Sequence, residues 1–381
     1  MKTWKMIFLI CLIPGYGIAQ SGSTGFYQEI PYETLNDKIF IQAEVEGIKG
    51  KYLFDTGAPV CITYSRMQKC PEKEAVLQRV QDAHNNETAF QQVTLQSIRL
   101  DSIGFRDIPA LVFDKGNPLE YFGVDGIIGS SLFPDAVIRI DPRRKVLTIA
   151  SDTGRMGLKP RYATDMERDE QNIPYIMAGL SREVREQVMF DTGSSSFYEM
   201  SESIYHKIAD DQGIVTLSKG NGVLSMGIAG MEKKSDKYRV RVDSMSLGTA
   251  LFTNVITVTE NAFSSRIGNG LLKYGSVTLD FPGNKFYFVP NDTVPVDLDY
   301  KSWNVEVIAS GDSLMAGFIW QSMAGQLQGG EKVVAINGKR YDKVDPAKAL
   351  TTSLLRIEGE EAVITVIDKN GQEKTLTIRK E

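Results

Sequence analysis

Asp55 and Asp191 are the residues of this chain best placed to do chemistry together. Asp55 ends the run Lys51-Tyr52-Leu53-Phe54 and opens Thr56-Gly57-Ala58, while Asp191 ends Gln187-Val188-Met189-Phe190 and opens Thr192-Gly193-Ser194. Each stretch reads as a buried strand feeding a tight turn, in which glycine permits the backbone and lets another chain come close. Two carboxylates brought together cannot both ionise cheaply, so their affinities for protons split. One is then free to take a proton from water while the other gives one to a carbonyl oxygen, the general acid–base pair that hydrolysis needs. Such a pair requires no organic cofactor and no metal. A third copy, Asp152-Thr153-Gly154, has no leading Phe and runs into Arg155, and reads as a surface turn.

The two good copies have downstream partners, which the third lacks. Gly126-Ile127-Ile128-Gly129 follows the first and Arg266-Ile267-Gly268-Asn269 the second. Asp191 lies 136 residues after Asp55, Gly268 lies 139 after Gly129, and Asp280 of Leu279-Asp280-Phe281 lies 139 after Asp141 of Ile140-Asp141-Pro142. Three markers at nearly one period indicate an internal duplication.

With Asp-Thr-Gly-Ala/Ser and a downstream apolar-apolar-Gly both occurring twice, residues 28–290 resemble the aspartic proteases, and the compact halves look more like the retropepsin type than the larger pepsin lobe. The resemblance implies two pseudo-symmetric β-barrel lobes whose aspartates, Asp55 and Asp191, meet as the catalytic pair. It also implies support from Thr56 and Thr192, whose hydroxyls would bond across the lobe interface, and from Gly57 and Gly193, which would keep the approach open. Three features depart from the family pattern. Arg266 stands where the first lobe has Ile127, Ala58-Pro59 follows the first turn, and no tyrosine occurs between Tyr64 and Tyr121.

The elements that must position these residues follow in order. Ile39 to Val45 and Tyr52 to Phe54 read as strands around a turn at Gly47 to Gly50, and Val60 to Thr63 as the strand leaving the active turn. Residues 65–80 are charged and include a short helix. Beyond a polar tip at 82–86, Val93-Thr94-Leu95 and Ile98-Arg99-Leu100 look like a hairpin able to fold over a cleft. Residues 151–171 read as the link between an N-terminal lobe, 28–150, and a C-terminal lobe, 172–290. In the second lobe Ser201 can cap a helix through Ile208, and Gly220, Gly222, Gly227 and Gly230 make a flexible segment where a second covering hairpin should fall.

Residues 290–300 read as a linker to a third unit, 296–381. There Asn337-Gly338 and Asp368 to Gly371 signal hairpins, and Asp345-Pro346 starts a helix. Ala324-Gly325-Gln326-Leu327, Glu331 and Ala335-Ile336-Asn337-Gly338 resemble the bacterial PDZ pattern, with Glu331 in place of the usual Asp and no evident carboxylate-binding loop. The fold expected is therefore mainly β, two lobes plus a small α+β PDZ-like domain that takes a peptide ligand.

The chain has 381 residues and a formal charge of −5, with no basic cluster for nucleic acid. Lys2 and Lys5, the apolar run from Met6 to Ile13 and Gly17-Ile18-Ala19 read as a signal peptide over 1–19. The product is expected to be exported, periplasmic or secreted, with no membrane span after cleavage. Two half-sites in one chain remove the need for a dimer, so a monomer is expected. Cleavage removes Cys11 and leaves Cys61 and Cys70, which either pair, as exported cysteines can, or leave Cys61 as a buried thiol. His84 and His206 read as solvated. No nucleophile elbow, metal-spaced Cys/His cluster or phosphate loop is present. Two functions fit: an aspartic endopeptidase acting on peptide or protein substrates, or a non-catalytic peptide-binding or envelope scaffold that keeps the protease fold.

Overall fold

A computed structural model describes residues 25–381 except 82–86, 182–183, 225, 228–229, 293–294 and 352–356. The signal segment 1–19, Cys11 and the polar tip with His84 lie outside the described residues. The fold is mainly β.

Apolar alternation makes strand Lys38–Val45, and it pairs antiparallel with Ile48–Asp55. The turn is tighter than the glycines suggested. Glu46 and Gly47, at φ 53° and 75°, form a two-residue connection of the kind that matches strand twist. Gly50 belongs to the strand, where a Cβ would meet the Asp125 carboxylate at 2.0 Å. The end of this strand runs parallel to Gly126–Gly129, pairing Leu53 with Ile127 and Asp55 with Gly129. Parallel strands are covered on both faces, which is why both runs are continuously apolar. The second half repeats the unit: Val184–Phe190 runs parallel to Arg266–Ile267, pairing Met189 with Arg266 and Phe190 with Ile267.

The duplication period appears at the centre of the molecule. Val137–Asp141 pairs antiparallel with Gly275–Asp280, so the two repeats of the Asp141/Asp280 motif share one ladder. Val146–Ala150 and Tyr27–Pro31 extend it on one side. Lys285–Pro290 and Ala163–Arg168 extend it on the other. The stretch read as an inter-lobe link therefore supplies a strand. Ile138, Ile140, Leu147, Ile149, Val277 and Leu279 are fully buried in a core that continues through both lobes. Each such side chain contributes about 1.5–3 kcal/mol of transfer free energy. Asp152 is exposed and turns back on its own Gly154 amide, a surface turn.

Three expectations are corrected. Val93–Leu95 and Ile98–Leu100 are not two arms of a hairpin but parts of one strand, Glu87–Leu100, paired with Ile103–Val112. Gln96 and Asp107, the latter at φ 54°, drop out of the ladder, so the inward face changes from Val93 and Leu95 to Ile98 and Leu100 without ending the strand. The hairpin flanking 82–86 is instead Val76–Gln81 with Glu87–Leu100. Second, Cys61 and Cys70 are free thiols. Cys61 is fully buried among Phe40, Leu53, Phe113 and Ile127, whereas Cys70, past the short helix Tyr64–Met67, turns its sulfur to the Arg66 carbonyl at 3.5 Å. Third, Ser201 occupies the N-cap of helix Glu202–Ile208 without capping it. Its hydroxyl bonds Ser203 Oγ and the Ala262 carbonyl, both at 2.9 Å.

Residues from Val305 onward have their own core of Val305, Leu314, Val333, Ile364, Val366 and Ile378. Asn337-Gly338 turns one hairpin with φ 48° and 79°, and Asp345 accepts the Ala347 amide at 2.9 Å at the start of helix Pro346–Thr351. This unit is joined to both lobes. Its strand Ser313–Trp320 pairs with Ile214–Gly222 of the second lobe through Gly220–Trp320 and Gly222–Phe318. Gly220 and Gly222, read as flexible, are there for close approach: a Cβ at Gly222, φ 151°, would sit 2.1 Å from the Gly317 carbonyl. Arg239 lies over the Trp320 ring at 4.1 Å and donates to the Trp303 carbonyl at 3.0 Å. Helix Pro346–Thr351 rests against the turn of helix Pro118–Phe122 in the first lobe. Val296–Asp297, expected in a linker, pairs beside Phe252 and Thr253.

Candidate active site

The two Asp-Thr-Gly turns face each other across the lobe boundary. Each turn is first closed on itself: the Gly57 amide donates to Asp55 Oδ1 at 2.9 Å, and the Gly193 amide to Asp191 Oδ1 at 2.8 Å. The threonines then lock the turns together. The Thr56 hydroxyl donates to the Phe190 carbonyl at 2.7 Å and accepts the Thr192 amide at 3.0 Å. The Thr192 hydroxyl donates to the Phe54 carbonyl at 3.0 Å and accepts the Thr56 amide at 2.9 Å. Both threonines are fully buried, so these four bonds satisfy groups that water cannot reach.

The glycines show how close the acids come. A Cβ at Gly57 would meet the Asp191 carboxyl carbon at 2.6 Å, and one at Gly193 would meet Asp55 Oδ2 at 2.3 Å. Each aspartate therefore lies against the other lobe's turn. Asp55 and Asp191 retain 8% and 7% exposure, enough to leave an edge of each reachable. Burial and the Asp191 charge push the Asp55 carboxyl far above the usual carboxylate range, against the opposing pull of the Gly57 amide and Lys38. All six site residues named from the sequence thus lie in one place. Cys61 borders them, its thiol pushed up by burial and by the Asp55 charge.

Three neighbours were not read from the sequence as parts of the site. Lys38 follows the Asn36-Asp37 turn that joins Glu33–Leu35 to Lys38–Val45, and its Nζ donates to the Gly193 carbonyl at 2.5 Å. That same turn touches the second lobe: Ser195 Oγ donates to the Asn36 carbonyl at 2.8 Å, and Asn269 Nδ2 to the Asp37 carbonyl at 2.9 Å. The Asn-Asp pair between two strand-like runs was the available signal. Arg266, noted only as a departure, puts Nη1 3.7 Å from Asp191 Oδ2, and its Nε bonds Glu199. Burial opposes the Arg266 charge, but Glu199 and Asp191 outweigh it and hold the guanidinium above its usual value. Burial likewise pushes Glu199 up, and Arg266 with Ser196 and Ser194 brings it below the usual range. Glu199 carried no sequence signal of its own, because only the pairing of Tyr198–Ser201 with Arg266–Ile267 brings it there.

His206 is exposed beside Glu202 at 3.5 Å, away from the site. Among the described residues no group of three or more His, Cys, Asp or Glu is arranged to hold a metal ion. The arrangement leaves room for a water to meet the reachable edges of two facing carboxyls, one of which holds its proton tightly.

Residues 41–132 match the family model described as aspartyl protease, a span that includes the Asp55 turn and Gly126–Gly129. Among solved structures, a retropepsin-like aspartic protease from Rickettsia conorii is 22% identical over 33% of this chain and 93% of that one, with a TM-score of 0.27. No curated protein matches the chain. The family match supports an aspartic protease.

Proposed function

We propose that the chain is an exported aspartic endopeptidase that hydrolyses peptide bonds with a water held between Asp55 and Asp191. The reciprocal fit of each aspartate against the other lobe's glycine carries this reading. In the first step the ionised carboxylate takes a proton from the water. The water oxygen bonds to the peptide carbon, and the protonated carboxyl gives its proton to the carbonyl oxygen, leaving a gem-diol. Transfer of a proton to the amide nitrogen then lets the C–N bond break as the diol returns to a carboxyl. General acid–base assistance of this sort is worth about 10²–10⁴-fold per group. An extended peptide would bind by pairing with strands at the cleft. The unit from residue 296 onward, with its PDZ-like sequence pattern, would recruit substrate or a partner peptide, and the chain would act as a monomer.

The test is cleavage of a mixed peptide library followed by mass spectrometry from acidic to neutral pH. Asp55→Asn and Asp191→Asn are each expected to abolish products while remaining folded. Products at the parent's level from both variants would reject the reading. The second reading, a scaffold that binds peptides without turnover, is favoured by one observation, the guanidinium beside Asp191. It is distinguished by saturable peptide binding with no product at any pH.

A further inference from the structure

The two halves of the site are not equivalent, and the difference lies in one cross-strand pair. In the first lobe Cys61 faces Ile127 next to the Asp55 strand, and in the second lobe Glu199 faces Arg266 next to the Asp191 strand. Ile127 pairs with Leu53 as Arg266 pairs with Met189, so the duplication itself identifies the positions as counterparts. One copy has an apolar pair, and the other has an ion pair whose cation also reaches its aspartate.

We propose that Arg266, held in place by Glu199, makes the dyad asymmetric: it keeps the pair's single negative charge on Asp191, so that Asp191 acts as the base toward water and Asp55 carries the proton given to the carbonyl. The inference rests on the peptidase reading above and adds the direction of proton flow. Arg266 is a positioning residue, since it acts through Asp191.

The other charged or titratable groups around the pair do not supply the same bias. Lys38 borders Asp55 but donates to the Gly193 carbonyl. Tyr175, from strand Pro174–Leu180, is pushed up to about 12 by burial with help from Asp169 and Asp191, so its phenol is neutral. Cys61 is a buried thiol whose sulfur turns to the Pro59 carbonyl at 3.5 Å. Glu260 acts on Arg266 from strand Ala250–Glu260 and is itself bonded by Lys237, which Glu232 also holds. Among the described residues, Arg266 is the cation in contact with an Asp carboxylate of the pair.

The test transplants the first lobe's pair into the second, as Arg266→Ile with Glu199→Cys, which avoids leaving a buried glutamate without its partner. The double variant removes the guanidinium in contact with Asp191 together with the Glu199 carboxylate bonded to its Nε; the contacting charge outweighs the other, so the dyad's negative charge becomes costlier. Both the proton lost to create the working monoanion and the one lost to destroy it should then leave at higher pH. Both limbs of the kcat/KM–pH profile are expected to move up by about 1–2 units, while Arg266→Lys keeps them near the parent's positions. Limbs unmoved in a folded, active double variant would overturn the inference, as would an Arg266→Lys shift equal to that of the double variant. If the double variant does not turn over, the carboxyl-carbon NMR signal of Asp55 reads the same property. It should be that of a protonated acid in the parent at pH 6 and move toward a shared-proton value in the double variant, and an unchanged signal overturns the proposal. A parent that cleaves nothing would defeat the peptidase reading, whereas the Asp55 signal would still decide whether Arg266 biases the pair.

Discussion

At the scale of single residues, the site spends stability on function. Asp55 holds its proton more tightly folded than unfolded, because of burial and Asp191. The sign follows: a carboxyl raised on folding contributes fully below its unfolded value near pH 4 and loses that contribution as pH rises toward its folded value. Asp55→Asn, which has no proton to lose, should therefore be more stable than the parent at pH 7, on the order of 2 kcal/mol, with the gain shrinking at pH 4. Denaturant titrations at the two pH values check this, and an equal difference at both would contradict it. The threonines work in the opposite direction. Thr56→Val keeps the shape but strands the buried Phe190 carbonyl and Thr192 amide. A loss of about 2–4 kcal/mol is expected by the same measurement, from about 1–3 kcal/mol per orphaned group. A loss under about 0.5 kcal/mol would mean that the turns are held by something else.

At the scale of elements, what could be read in advance was what is encoded locally. An apolar run into Asp-Thr-Gly, followed by an apolar run into glycine, specifies a parallel pair of buried strands, and its repetition shows the duplication. Asn337-Gly338 likewise specifies its own turn. What escaped depended on partners distant in sequence. Nothing near Gln96 shows that Asp107 will leave the ladder with it and let Glu87–Leu100 continue. Gly220 and Gly222 look the same in a loose loop as in a strand pressed against Phe318. Glu199 becomes part of the site only through its cross-strand neighbour. The glycine reading has a direct test. Gly222→Ala places a methyl against the Gly317 carbonyl, so amide exchange at Val223 and Trp320, which bond the Gly317 and Asn304 carbonyls, should accelerate. Exchange in Val137–Asp141 should stay slow. Parent-like protection at Val223 would show that the strand tolerates the side chain and that its glycine has another purpose.

At the scale of the whole molecule, the first lobe keeps most of its strands in an eight-stranded sheet of its own, while a twenty-stranded ladder runs from Tyr27–Pro31 through the second lobe into the residues beyond 305. Three modules in sequence are thus not three bodies on tethers. Ser313–Trp320 is hydrogen-bonded to the second lobe, and helix Pro346–Thr351 leans on the first. A ladder that passes from module to module has a thermal consequence: the terminal module cannot lose its order without baring the edge of Ile214–Gly222. Heated in a calorimeter, the chain should melt as one cooperative event rather than shedding its last eighty or so residues early.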